Sequence, residues 1–144
     1  MPILNYTTSV ATNRTVGQIQ GLLVEAGARA IMAEYDDVGN TTGMSFAVIT
    51  PFGKQGYTLP VRTERVLAVL QRDKVARRYC TPEHAERVAW RILKDWIEAQ
   101  LALLRTEMVT LDQVMLPYMR TSDGKTVYEL YLDDRLALPA GESA

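Results

Sequence analysis

The stretch from Thr81 to Glu107 reads as one long helix with more apolar surface than a small protein ordinarily gives a helix. Its start is well marked. Thr81 suits the N-cap, Pro82 the first helical position, and Glu83 and Glu86 the positive end of the helix dipole. Wound at about 100° per residue, the apolar side chains from Ala85 to Leu104 cover an arc of roughly 220°, where an ordinary surface helix shows about 100°. A helix of that girth is either covered on two sides within its own domain or shared with another subunit. The second option makes Trp90, Leu93, Ile97, Leu101 and Leu104 the candidate interface of a homo-oligomer.

The rest of the chain reads as mixed elements in segregated order. Ile3 to Ser9 suits a first strand, and Thr15 precedes Val16, Ile19, Leu22, Leu23 and Ala26 at helical spacing, with Gly27 as the C-terminal stop. Ala28–Tyr35, Met44–Thr50 and Tyr57–Val61 are apolar or alternating runs separated by turn-rich segments, the pattern of an antiparallel meander. A shorter helix follows from Thr63 to about Asp73, then a link over Lys74 to Cys80. Thr110 and Gln113 have capping-box spacing, so a short helix begins there and stops before Pro117. Asp123-Gly124 predicts a closing hairpin, Tyr118–Thr121 against Thr126–Leu132. The expected fold class is α+β: a small meander packed on helices, in one domain over 1–136 with a flexible tail over 137–144.

Charge is unevenly spread. Between Arg72 and Lys94 stand seven bases, Arg72, Lys74, Arg77, Arg78, Arg87, Arg91 and Lys94, against three acids; from Asp95 onward nine acids face four bases. Arg87, Arg91 and Lys94 share the polar face of the long helix, where like charges at such spacing repel by a few tenths of a kcal/mol per pair. Two interpretations follow: a solvated face relieved by Asp95 and Glu98, or an anion-binding strip extended by Arg77 and Arg78 along a phosphate backbone. Tyr79 and Trp90 are the aromatic rings placed to stack on bases beside such a strip. The net charge of −1 supplies no global field for nucleic acid or a membrane surface. A single Cys, no secretory signal and no long apolar run point to a cytoplasmic protein without a membrane span.

Catalytic motifs fail on inspection. Gly124-Lys125-Thr126 matches the end of a phosphate-binding loop, but Met119 stands where the earlier Gly belongs. Asp123-Gly124-Lys125 has the acid-x-Lys form used by metal-dependent nucleases but no partner acid on a preceding core strand. Cys80 and His84 flank the start of the long helix without a third group to orient them, and one Cys with one His makes no structural zinc site. No catalytic residue, cofactor or metal is therefore assigned, and the chain leans away from enzymes.

The helix-strand-strand-strand-helix order from Thr15 to Asp73 is similar in topology to the double-stranded RNA-binding domain, but Thr63-Glu64-Arg65-Val66-Leu67 lacks that domain's basic cluster. The run Ala89-Trp90-Arg91-Ile92-Leu93-Lys94-Asp95-Trp96-Ile97-Glu98-Ala99-Gln100, continuing to Leu116-Pro117-Tyr118, resembles segments of uncharacterised small proteins encoded by phages and prophages. That resemblance implies DNA transactions or interference with a host machine as the setting, and it carries over no activity and no site. Two functions are expected from the whole. One is an oligomeric accessory protein binding DNA or RNA through Arg72, Lys74, Arg77, Arg78, Tyr79, Arg87, Arg91 and Lys94. The other is a protein-interaction module, a phage-type inhibitor or adaptor, using the long apolar helix or the C-terminal hairpin with Tyr118, Tyr128 and Tyr131.

Overall fold

A computed structural model describes residues 1–137, with elements in the order α1 (Thr12–Glu25), β1 (Ala30–Tyr35), β2 (Thr41–Thr50), β3 (Gly53–Thr58), α2 (Thr63–Arg72), α3 (Pro82–Arg105), α4 (Leu111–Met115) and α5 (Val127–Ala137). The architecture is α+β. Apart from Ala137, the tail expected over 137–144 lies outside the described residues. The meander is antiparallel in the order β1-β2-β3. Met44, Phe46 and Val48 alternate onto its buried face, as a pleat requires. Phe46 stands between Ile31 and Tyr57 in register, and its ring stacks on Tyr57 at 5.2 Å. Gly27 ends α1 at φ +105°, a conformation a side chain would strain, and turns the chain into the sheet.

α3 is one unbroken rod. Thr81 caps it, its hydroxyl accepting from the His84 amide at 3.1 Å. α1 and α2 both pack against it, and the sheet closes the core shared by Ile19, Leu23, Met44, Phe46, Trp90, Leu93 and Ile97. The wide apolar arc is therefore covered on two sides by the helix's own chain. This corrects the inferred oligomer interface: Trp90, Leu93, Ile97 and Leu101 are buried within the protomer and have no surface left for a partner. Leu104 is half-buried near the C-terminal end of the rod.

Two further expectations are corrected. Residues 3–9 form turns rather than a strand, with Asn5 in the left-handed region at φ +65°. The second arm of the closing hairpin is the helix α5. Thr126 and Glu129 make a reciprocal capping box, the Thr126 amide donating to the Glu129 carboxylate at 3.2 Å and the Glu129 amide to the Thr126 hydroxyl at 3.2 Å. The Asp123-Gly124 turn does form, but it yields a single bridge, Arg120 to Thr126, before the helix begins. Ahead of that turn Met119 and Arg120 lie along β3, with a bridge from Met119 to Tyr57 and the Arg120 amide donating to the Gly56 carbonyl at 2.9 Å. Among the described residues no helix is long and apolar enough to cross a membrane.

Candidate nucleic-acid interface

The basic link begins where α2 stops. Arg72 ends the helix with its side chain 73% exposed and a long contact to Asp73 at 3.4 Å. Lys74 then takes a left-handed conformation, φ +54°, which turns the chain away from the α2 axis. A 3₁₀ turn over Arg77–Tyr79 holds Arg77 and Arg78 at the surface immediately before the Thr81 cap. Arg78 lies over the Tyr79 ring at 4.8 Å and donates to its hydroxyl at 3.1 Å. Among the described residues Lys74, Arg77, Arg78 and Arg87 have no carboxylate within ion-pair distance.

Beside this link opens a cleft of about 720 Å³ between the start of α1, the turn at Gly39–Asn40 and the first turns of α3. His84 forms its floor and is buried. Arg87 donates to His84 Nδ1 at 3.3 Å, so that nitrogen is the acceptor and Nε2 carries the proton it donates to the Tyr6 carbonyl. The imidazole is thereby fixed as one neutral tautomer, tying residues 3–9 to α3. Tyr79 meets it at 4.9 Å, and Tyr6 approaches Tyr79 edge-on at 5.6 Å. Arg78 and Arg87 thus reach one cleft from two elements, with Asn13, Asn40 and Thr12 as neutral hydrogen-bonding groups.

Glu83 and Glu86 oppose these cations. Desolvation pushes the Glu86 carboxyl above the usual range, a hydrogen bond from Thr12 pulls it back, and the like charge of Asp36 adds to the rise. Its folded value lies above the unfolded one, so the folded chain holds that proton more tightly. The contribution of Glu86 to stability is then greatest at acid pH and falls as the pH rises from the ordinary carboxyl value to the raised one. Glu86→Gln, neutral throughout, is expected to melt higher than the parent at pH 7 and to lose that advantage below about pH 4. Paired thermal melts at the two pH values check it; equal Tm at pH 7 contradicts the desolvation account.

The strip does not continue along α3. Arg91 donates to the Gln18 side chain on α1 at 2.6 Å. Lys94 is 16% exposed, paired with Glu98 and 3.9 Å from Asp95. The α1 packing that covers the apolar arc also draws in this end of the polar face, so Arg91 and Lys94 are not brought together with Arg77 and Arg78 as one surface. Trp90 is likewise withdrawn from any stacking role, fully buried with its indole N–H donated to the Thr41 carbonyl at 3.2 Å. Cys80 and His84 form no nucleophile pair, because the thiol donates to the Leu70 carbonyl at 3.6 Å and both ring nitrogens are engaged elsewhere. Among the described residues no three His, Cys, Asp or Glu side chains converge to hold a metal ion.

Sequence reasoning missed Asn13 and Asn40 as members of the cleft and Tyr6 as the partner of His84, since no local pattern brings those segments to α3. The His84–Arg87 contact did have a signal, the three-residue spacing that places two side chains on one helical stripe. No protein-family model, curated protein or solved structure matches the chain.

Proposed function

We propose that this chain is a non-enzymatic accessory protein that binds single-stranded nucleic acid through Arg72, Lys74, Arg77, Arg78 and Arg87, with Tyr79 as the stacking ring. The observation that carries this reading is that Lys74, Arg77, Arg78 and Arg87 have no carboxylate partner among the described residues, Arg78 and Arg87 lining the cleft, in contrast to Arg91 and Lys94 farther along α3. A cation without a carboxylate partner can neutralise a phosphate without first breaking an ion pair. Arg77 and Arg78 sit on a turn beside an aromatic ring rather than along an exposed helix, which suits a flexible strand better than a duplex groove. Arg78 lies over the Tyr79 ring. When the guanidinium swings to a phosphate, that part of the ring opens to a base, so charge neutralisation and stacking are coupled.

Affinity for a fluorescein-labelled oligothymidylate, followed by anisotropy, tests the proposal. Each phosphate neutralised on a single strand contributes about −0.7 to the slope of log K against log salt. Three or four contacts give a slope of about −2 to −3, a loss of roughly tenfold to sixtyfold between 50 and 200 mM salt. Absence of binding at the lowest salt, or binding that salt does not weaken, overturns it.

A further inference from the structure

The meander has two edges with different fates. The outer edge of β3 is occupied by Met119 and Arg120 of the same chain, whereas β1 pairs with β2 alone and its other edge has no strand partner among the described residues. An uncovered edge offers a row of backbone donors and acceptors to any extended segment, and proteins usually blunt such edges with charges, Pro or bulges. The β1–β2 ladder is irregular at one end, where the extra residue Thr42 lies on β2 opposite Glu34 and Tyr35, while the first four residues of β1, Ala30-Ile31-Met32-Ala33, hold neither charge nor Pro. Met32 and Tyr35 stand 55% and 63% exposed along it.

We propose that this edge is the seam of a symmetric dimer and that its occupant is a second copy of the chain. The argument for a second copy is charge. Arg29 precedes the strand and Asp37 follows it, both exposed and neither in an ion pair among the described residues. A two-fold axis through the middle of β1 sets the strands antiparallel, bringing Arg29 of each copy to the Asp37 end of the other, so the complementarity occurs twice. The same axis, normal to the sheet, keeps both buried faces on one side. Two three-stranded meanders then join into one continuous sheet, each copy's helices on the same face. A parallel arrangement would set Arg29 against Arg29 and Asp37 against Asp37.

The seam is short, and a contact of this size is expected to associate in the micromolar range rather than obligately. Sedimentation velocity on the full chain from about 5 to 500 µM is expected to show a reversible monomer–dimer equilibrium. With Arg29 facing Asp37 the axis falls at Ala33, and Met32 stands opposite Glu34 of the other copy. Met32→Glu, at an exposed position, therefore sets two carboxylates against each other twice per dimer and is expected to raise the dissociation constant at least about tenfold. Arg29→Asp and Asp37→Arg each weaken self-association, but an equimolar mixture of the two restores it, because each contact again joins opposite charges. Circular dichroism confirms that each variant folds, and the mixing result stands even if Met32→Glu does not fold. A monomer at every concentration overturns the proposal. So does a dimer indifferent to Met32→Glu in a folded variant, or a mixture no stronger than its components.

Discussion

Trp90→Ala is expected to cost about 3–5 kcal/mol, a large part of the roughly 5–15 kcal/mol that holds a domain of this size together. Trp90 is fully buried where α1, β2 and α3 meet, and its indole N–H satisfies the Thr41 carbonyl at the first residue of β2. Truncation leaves both a cavity and an unpaired carbonyl, and an orphaned buried acceptor costs about 1–3 kcal/mol. Trp90→Phe refills most of the volume without restoring the hydrogen bond, so its loss should fall between wild type and Ala. Urea unfolding followed by circular dichroism measures both. The same experiment separates core from interface. At a protein concentration below that of self-association, a residue buried by its own chain still shows its full loss on truncation, whereas one buried by a partner shows little. A loss below about 1 kcal/mol, at a level typical of a surface site, would contradict the placement of Trp90.

The double reversal Arg77→Glu/Arg78→Glu is expected to lower affinity for oligothymidylate by about a hundredfold or more at low salt, with a shallower salt slope. On the proposed function each change removes one phosphate contact and sets a carboxylate in its place, at position 78 on the cleft that Glu83 also lines. Arg91→Gln and Lys94→Gln are the controls, expected to change affinity less than about twofold because those cations already have partners within the fold. Equal losses in both pairs would show that the helix face binds as a whole. Because the four residues are partly or wholly exposed, folding of the variants is expected to be unaffected.

Much of the architecture was legible because its signals are local. The Thr81 cap, Pro82 and the unbroken apolar periodicity specify α3 within a few turns of chain, and the Thr110–Gln113 capping box specifies α4 in the same way. The meander followed from short alternating runs and the turns between them. Where two local signals competed, the wrong one was preferred: Asp123-Gly124 announced a hairpin, while Thr126 and Glu129, three residues apart, announced the helix that forms. The unpaired charges of the site were half legible. Arg77, Arg78 and Arg87 remain without a carboxylate partner among the described residues, but the fate of Arg91 rests on Gln18, 73 residues away in the chain.

From its residues alone, this chain determines that 82–105 winds into a rod with a capped start and a wide apolar girth, since capping and helical periodicity act within a turn or two. What lies against that girth was decided by tertiary structure. Burial of apolar surface carries no direction and does not distinguish the α1 and α2 of one chain from a neighbouring copy. Only the three-dimensional path of the chain assigns the rod's surface to its own protomer, and with it which of its cations remain open to a ligand.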